Sequence, residues 1–224
     1  MMKTAASIEY RYHALLPFDT HTLSIIDDAL GSEDRCTQEH AHRVALYAMR
    51  LACRIGLTAQ QAHQVAIGGL LHDVGKIGLN KRIFNNKCQQ LGKEMREEMQ
   101  QHPHVGATFL ESIGMLTPVL EYVHCHHERM DGTGYPRGLT ADNIPLGAKI
   151  ISVVDCFDAI TSDRPYQKRK SLRQAFGILR HLSGSSLQPS LVETFIEEVE
   201  ENGIIADGPT DFFSAVPNYP FAVR

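Results

Sequence analysis

Histidine is the residue type in this sequence whose number and spacing most clearly suggest chemistry. There are twelve histidines in 224 residues, and nine of them lie between His40 and His127. Neutral imidazole nitrogens, like carboxylate oxygens, are good ligands for divalent transition-metal ions. The clustering therefore raises the question of which histidines and acids share one metal site.

The adjacent residues His72 and Asp73 end an apolar stretch and are followed by Gly75 and Lys76. Adjacent side chains can both reach one metal ion where a helix ends and the backbone relaxes. An arbitrary His-Asp pair is nevertheless more often a capping histidine beside a surface aspartate. Metal binding by this pair is still favoured, because further imidazole groups occur elsewhere in the chain.

The densest group of imidazoles consists of His124, His126 and His127, which fall within four positions. They lie at the predicted end of a helix, immediately before the glycine-rich segment 132–136. Apolar residues with helical spacing flank the group, which is not typical of a solvated histidine cluster. The glycines allow backbone geometries that other residues resist. Metal ligation is therefore the favoured interpretation here.

Three single side chains add to these groups. His40 is predicted to face inward because it shares a helix face with apolar residues, although the spacing prefers it to His42 only modestly. His102 lies at a predicted helix start that Pro103 fixes. Asp155 lies in an apolar helix, where a carboxylate normally has a cation or metal partner. A core histidine, a capping histidine and a salt-bridged aspartate remain the respective alternatives.

Together, seven side chains are candidate ligands, which is too many for one metal ion at ordinary coordination. The number suits two ions that share a bridging carboxylate. Two ions about 3.5–4 Å apart can clamp a phosphate and generate hydroxide for in-line attack. The candidates are His40, His72, Asp73, His102, His126, His127 and Asp155.

The elements that position these residues are predicted to be helices, because hydrophobic positions recur every 3.6 residues and alternating patterns are few. We expect an all-α bundle of about seven to nine helices. An N-terminal extension over 1–18, one domain over 19–202 and an irregular tail over 203–224 are expected. Gly31 is predicted to stop the first helix, and Met130–Asn143 to form a loop. The predicted helices are Asp19–Leu30, Cys36–Ile55, Thr58–His72, Lys93–Gln101, Pro103–Ser112, Thr117–His127, Pro145–Thr161, Leu172–Leu182 and Pro189–Asn202.

Composition narrows the function classes further. A formal charge of −4 and 43% hydrophobic residues argue against a disordered chain and against a DNA binder, which would need a basic stripe. No apolar run approaches the roughly 20 residues that span a bilayer. The five cysteines are scattered without a Cys-x-x-Cys pair, as expected of reduced thiols in a cytoplasmic protein.

The order of the motifs resembles the HD-GYP branch of the HD-domain metal-dependent phosphohydrolases. The resemblance extends from about Asp19 to Glu200. It implies a helical domain with a bi- or trinuclear metal centre, often of iron and sometimes of manganese or another divalent ion. It also implies hydrolysis of cyclic dinucleotides, chiefly cyclic di-GMP, to linear pGpG and on to GMP. The segments that carry it are EHAHRVALYA, LLHDVGKIGLN, HPHVGATFL, HHERMDGTGYP, KIISVVDCFDAITSDRPY and SGSSLQPSLVETF.

The resemblance also implies roles for individual residues. All seven candidate ligands match ligand positions of the family, which selects His40 over His42, and Asp73 would bridge the metals. Lys76 matches a lysine that contacts a phosphate oxygen, and Arg164 matches a second contact with the substrate phosphate. A border of the guanine pocket, or simply support for the helix, is expected of three loop residues: Gly132, Gly134 and Tyr135.

Two positions depart from the family pattern. Trinuclear members carry a glutamate one helical turn before the first histidine, where this chain has Cys36. We therefore expect two divalent ions, with iron as the first choice and manganese or another first-row ion as the alternative. Some members have a second basic residue three positions after the arginine, where this chain has Gln167. That departure leaves open which residues contact the substrate phosphate.

The hypothesis is a phosphodiesterase in which the two metals lower the pKa of a bridging water, so that hydroxide attacks phosphorus. Asp73 and Lys76 are the expected catalytic residues, and cyclic di-GMP is the preferred substrate. A second hypothesis is another HD-type phosphohydrolase that acts on cGAMP-like hybrids, nucleotides or phosphonates. A third is a weakly active module that senses a cyclic dinucleotide or docks a diguanylate cyclase of the GGDEF type. A homodimer is a further expectation.

Overall fold

The computed structural model describes residues 20–79, 92–115, 118–163 and 168–205, apart from the side chain of Thr20. Within these ranges the chain forms nine α-helices, and β-structure is limited to two isolated bridges. The predicted all-α bundle is therefore confirmed. No helix in these ranges is both long and apolar enough to cross a membrane. The helices are α1 Thr20–Glu33, α2 Arg35–Arg54, α3 Ala59–Leu71, α4 Lys93–Met99, α5 His102–Ser112, α6 Val119–Cys125, α7 Leu146–Thr161, α8 Leu172–Leu182 and α9 Pro189–Asn202, with short 3-10 helices at Val74–Gly78 and Ala141–Asn143.

Several helices begin where the sequence supplies a side-chain cap. Thr58 and Gln61 form a reciprocal capping box at the start of α3, and Ser171 and Gln174 form another at α8. Asp34 caps α2, since its carboxylate accepts a hydrogen bond from the amide two residues ahead at 3.1 Å. Such caps satisfy amide groups that have no partner inside the helix.

The end of α1 differs from the prediction. The expected stop at Gly31 is wrong, because α1 continues to Glu33. A Cβ atom on Gly31 would meet the side-chain amide carbon of Gln38 on α2 at 2.6 Å. The amide nitrogen of Gln38 in turn donates to the Asp27 carboxylate at 2.8 Å. Glycine at this position therefore permits close packing of α1 on α2 and does not end the helix.

The core consists of two hydrophobic clusters that both involve α2 and α3. The larger one joins these helices to α7, α8 and α9. At its centre the rings of Tyr47, Phe157 and Phe195 pack edge to face, with centroids 5.0–5.6 Å apart. The second cluster joins α2 and α3 to α1, α5 and α6 through residues such as Leu70 and Leu110. Close packing on two sides fixes α2 and α3 as the frame of the molecule.

Two close backbone contacts set how the helices meet. Gly69 of α3 lies against α2, where a Cβ atom would stand 3.1 Å from the Cα atom of Ala45. Gly75, in the 3-10 turn after α3, lies against the start of α5, where a Cβ atom would stand 2.5 Å from the amide nitrogen of Gly106. Only glycine permits the second approach, so the turn that follows His72 and Asp73 rests directly on α5.

Candidate metal centre

The structure brings the seven predicted ligands together, although they are spread over 116 positions of sequence from His40 to Asp155. Neighbouring imidazole rings in the group have centroids 4.1–5.3 Å apart. Five of the seven residues are buried, whereas His127 and Asp155 are partly exposed. The side chains come from α2, the end of α3, the start of α5, the end of α6 and the middle of α7.

Three of these histidines use the same local device to orient their rings. The Nδ1 atoms of His72, His102 and His126 lie 2.6–2.7 Å from backbone carbonyl oxygens three residues earlier. Each carbonyl belongs to the last turn of a helix, where it has no partner inside the helix. A carbonyl only accepts, so each Nδ1 atom is the protonated one and each Nε2 atom carries the lone pair.

His40 is oriented differently, because it lies in the interior of α2. Its Nδ1 atom lies 2.6 Å from a carboxylate oxygen of Asp158, which is 1% exposed. The guanidinium of Arg43 donates two hydrogen bonds to the same carboxylate, at 2.6 and 2.9 Å. The Nε2 atom of His40 faces the other ligands and lies 3.1 Å from Asp155 Oδ1. Asp158, His40 and Asp155 are therefore connected in series, and both acids come from α7.

Asp73 lies between two groups of donor atoms. Its Oδ2 atom is 3.4 Å from His72 Nε2, and its Oδ1 atom is 3.3 Å from His102 Nε2. The ammonium group of Lys76 pairs with Oδ2. The Asp73 carboxylate thus lies between two groups of donor residues. The first group consists of His40, His72 and Asp73 itself, and the second group consists of His102, His126 and His127.

The donor atoms of both groups fit divalent cations. Within each group one ligand atom per residue lies within 4.8 Å of the others. The buried Nε2 atom of His72 has no hydrogen-bond partner among the residues that the structure describes. The Nε2 atoms of His102 and His126 are 3.2 Å apart, and their lone pairs face each other because both Nδ1 atoms are protonated. Two facing lone pairs repel, and a shared cation removes that repulsion.

The second group consists of imidazoles that are held neutral. Burial lowers the pKa of His102 to about 3 and the pKa of His127 to about 4. Burial also lowers the pKa of His126 well below its usual value, and the neighbouring imidazoles act in the same direction. Neutral imidazole is the form that binds a metal ion. This group is therefore ready to ligate at neutral pH.

Two carboxylates of the centre, Asp73 in the first group and Asp155 beside His40, are held ionised. Burial raises the pKa of Asp73, but the charge of Lys76 and the neighbouring His72 outweigh burial and hold that pKa well below its usual range. Burial likewise raises the pKa of Asp155, and its hydrogen bond and charge interaction with His40 lower it below the usual value. Burial lowers the pKa of His40, yet the contacts with the two acids leave it raised overall.

The loop after α6 contacts His127 and the residues beside it through Gly134 and Tyr135. A Cβ atom on Gly134 would stand 2.6 Å from Glu128 Cα, so the loop touches the backbone beside His127. The amide of Tyr135 donates to the carbonyl of His127 at 3.2 Å, and their rings lie 4.8 Å apart. Gly132 has a positive φ of 75°. Through these contacts the loop supports the end of α6.

Glu128, Asp158 and Arg43 are the residues of the site that sequence reasoning did not assign. The buried Glu128 carboxylate accepts hydrogen bonds from the amides of Arg137 and Leu139 at 2.7 and 2.8 Å, which ties down the far end of the loop. The sequence offers one signal for Glu128, its position directly after two histidines. Asp158 lies one helical turn after Asp155, which is the only hint that it faces the same way.

His42, the alternative to His40 on α2, lies apart from the donor groups. His42 turns toward α1, where its Nε2 atom lies 2.7 Å from Asp27 Oδ1. Of the pair on α2, His40 is the one that the structure places among the donors. Arg164 falls outside the described residues, as do Thr117, Gln167 and the segments 1–19 and 206–224.

The comparison with known families agrees with this fold and this cluster. The sequence profile of the HD domain matches residues 24–191. The chain therefore belongs to the HD-domain family. The match covers the helices that carry all seven donor residues.

Individual relatives confirm the resemblance to the HD-GYP branch. A cyclic di-GMP phosphodiesterase of Thermotoga maritima is 36% identical over 203 residues, which cover 89% of this chain and 54% of the relative. The 3'3'-cGAMP-specific phosphodiesterase 1 of Vibrio cholerae is 29% identical over 84% of this chain and 44% of its own length. An HDG"Y"P protein from Bdellovibrio bacteriovorus superposes with a TM-score of 0.60 at 20% identity, over 72% of this chain and 51% of that one, which shows the shared fold. The chain spans about half the length of the curated relatives it matches.

Proposed function

We propose that the chain is a metal-dependent phosphodiesterase that hydrolyses a cyclic dinucleotide, with cyclic di-GMP as the preferred substrate. The observation that carries the proposal is the position of Asp73. Its two oxygens face two separate groups of donor atoms, at 3.4 Å from His72 and 3.3 Å from His102. A carboxylate in that position suits a bridge between two cations, and a pair of cations can stabilise both the attacking and the leaving oxygen when a phosphodiester is cleaved.

The proposed ligands divide according to the two groups. His40, His72 and Asp155 would hold one divalent ion, with Asp73 as the shared ligand. His102, His126 and His127 would hold the other. When bound, such ions supply positive charge to the phosphate oxygens and lower the pKa of water. Iron is our first choice, and manganese or another first-row ion is the alternative, because imidazole and carboxylate accept several of them.

The protein's own residues act on the phosphate and the bases. The ammonium of Lys76 pairs with Asp73 and is partly exposed, so one phosphate oxygen can be held beside the cations. We assign Arg164 to a second phosphate contact, as the sequence resemblance implies. The loop that contains Gly132, Gly134 and Tyr135 is proposed as a border of the base pocket, in addition to its contacts with α6.

The second candidate substrate is 3'3'-cGAMP. Three phosphodiesterases of Vibrio cholerae that are specific for this dinucleotide are 29–33% identical to the chain. Cyclic di-GMP is preferred because relatives named for it, from three other bacteria, include one that is 36% identical. A diguanylate cyclase partner, a homodimer, a cytoplasmic location and the domain limits at 19 and 202 remain predictions from the sequence.

The test is a product assay on purified protein whose metal content has been measured. Incubation with cyclic di-GMP should yield linear pGpG, followed by GMP if the reaction proceeds, whereas 3'3'-cGAMP should react more slowly. The Lys76→Met variant should keep its metals and lose roughly 100-fold in turnover, as expected when one charged contact to the reacting phosphate is removed. Lys93→Met, on the exposed face of α4, is the matched control.

The result separates the hypotheses about function. Faster hydrolysis of 3'3'-cGAMP would transfer the proposal to the second substrate. Tight binding of cyclic di-GMP without any linear product, in protein loaded with metal, would refute catalysis and favour a sensing module.

A further inference from the structure

We infer that Asp158, clamped by Arg43, is a positioning residue for the metal centre: it fixes the ring of His40 so that Nε2 faces the metal-binding side. Asp158 is not one of the donor residues, and it contacts the first donor group only through His40 within the described residues. The inference rests on the proposed metal site. It concerns how one ligand of that site is oriented.

The argument begins with a difference among the histidines. His72, His102 and His126 direct Nδ1 to backbone carbonyls that are free because a helix ends there. His40 has no such carbonyl nearby, because it lies inside α2, where residues 35–54 are helical and the carbonyls are used by the helix. Its ring therefore needs a partner from another part of the chain.

Asp158 supplies that partner from α7. The distance between His40 Nδ1 and Asp158 Oδ2 is 2.6 Å, which is typical of a strong hydrogen bond to a charged acceptor. The carboxylate accepts, so Nδ1 keeps its proton and Nε2 presents its lone pair. A carboxylate on the outer nitrogen also makes an imidazole a stronger metal ligand.

Arg43 explains why the Asp158 carboxylate stays in place. It lies one helical turn after His40 on α2 and donates to both oxygens of Asp158, at 2.6 and 2.9 Å. Such a two-pronged bond fixes the plane of the carboxylate as well as its position. His40, Arg43 and Asp158 are all buried, so the carboxylate has little contact with water to compete for these bonds.

The same helix provides a matched control. His42 lies two residues from His40 and also bonds to a buried carboxylate, since its Nε2 atom is 2.7 Å from Asp27 Oδ1. That pair connects α2 to α1 and lies apart from both donor groups. Asp27→Asn therefore removes a buried carboxylate from a histidine on α2 without touching the proposed centre.

The experiment is a titration of chelator-stripped protein with Zn²⁺ alone, followed by calorimetry. Asp158→Asn should weaken the binding of one of the two ions by about 10–100-fold, the range typical of lost partners of metal-bound histidines. Binding of the other ion should change little. Asp27→Asn should lower the thermal midpoint without weakening either ion. Arg43→Lys keeps the positive charge but loses the paired hydrogen bonds to the two oxygens of Asp158. It should show a smaller effect in the same direction as Asp158→Asn, and it provides the test if Asp158→Asn does not fold.

A second measurement reads the ring of His40 directly. In the Zn²⁺-loaded wild-type protein, the Nδ1 proton of His40 should give a downfield nitrogen-bound resonance that exchanges slowly with water. The resonance should move upfield or exchange faster in Asp158→Asn and in Arg43→Lys, and stay unchanged in Asp27→Asn.

Two results would overturn the inference. One is Zn²⁺ binding in the Asp158 or Arg43 variant that matches Asp27→Asn for both ions. The other is a His40 resonance that does not respond to either variant. Failure of the wild-type protein to bind any Zn²⁺ would instead remove the metal site itself, and absence of cyclic dinucleotide hydrolysis with normal Zn²⁺ binding would affect the proposed function alone.

Discussion

The two groups of donor atoms in the centre face each other across Asp73 but differ in chemistry. The first group combines two imidazoles with the carboxylate of Asp73, and there the pKa of His40 is raised overall. The second group contains imidazoles alone, and burial lowers the pKa values of all three. Carboxylate ligands favour harder ions such as Mn²⁺, whereas imidazole suits Zn²⁺, Fe²⁺ and Ni²⁺. We therefore expect two non-equivalent ions that share one bridge.

Removal of the bridge should have the largest effect. Asp73→Ala deletes the residue whose two carboxylate oxygens face the two groups, and it leaves Lys76 without its carboxylate partner. Metal retention should be lost at both positions. Turnover should fall by at least about 1,000-fold, because the charge stabilisation from the cations is several kcal/mol. Metal analysis after gel filtration and the product assay measure the two effects.

The control for this variant is Asp142→Asn, on an exposed residue of a short 3-10 helix. It should retain metals and activity. Full activity of Asp73→Ala would show that the two groups do not act through this carboxylate.

Loss of one ligand from a single group tests whether the groups are separate. His126→Ala should lower the metal content from about two ions to about one, and the remaining ion should show the higher ratio of Mn²⁺ to Zn²⁺ of the two variants tested. His72→Ala should also leave about one ion, with a lower ratio of Mn²⁺ to Zn²⁺. Elemental analysis after dialysis against equal amounts of both metals gives the ratio. Identical ratios in the two variants would mean that the groups are chemically equivalent.

The groups should also respond differently to acid when the metals have been removed. In the folded chain the pKa of His102 is lowered to about 3 and the pKa of His127 to about 4. Below pH 6.5 these histidines therefore bind protons in the unfolded chain but stay neutral in the folded chain. Each of these histidines should therefore cost about 1.4 kcal/mol of stability per pH unit as the pH falls below 6.5. His40 acts in the opposite sense, because its raised pKa gives stability that is present below pH 6.5 and is lost as the pH rises above it.

Since three lowered pKa values in the centre oppose one raised value, urea unfolding of chelator-treated protein should show a net loss of several kcal/mol between pH 7 and pH 5. In the His102→Asn variant, which has one fewer lowered pKa, the dependence on pH should be shallower. An equal or steeper slope in that variant would contradict the assignment to the second group.

The sequence allowed most of this centre to be predicted, for a physical reason. Proposed ligands such as His72, Asp73 and His126 lie at helix ends, and helix ends leave local signals in caps, glycines and breaks of periodicity. The bond between His40 and Asp158 joins residues 118 positions apart, and only packing of α2 on α7 brings them together. Gly31 was misjudged for the same reason, since its role is set by Gln38 on the next helix and not by its neighbours.

The smallest expected effect concerns the contact that holds the two groups in register. Gly75 follows the first group, and a Cβ atom there would collide with the carbonyl oxygen of His102 in the second group. Gly75→Ala should shift the start of α5 away from Asp73 and destabilise the fold by about 1–3 kcal/mol, as overpacking does elsewhere.

The matched control is Gly177→Ala on α8, where a Cβ atom would meet nothing within 4 Å. There the same substitution should stabilise the protein by about 0.5–1 kcal/mol, because alanine favours the helix. Thermal unfolding measures both variants, and Zn²⁺ titration shows whether Gly75→Ala weakens the second group more than the first. Equal stability changes in the two variants would mean that the turn after α3 can yield without moving His102, and that the spacing of the two groups is fixed by α2 and α7 instead.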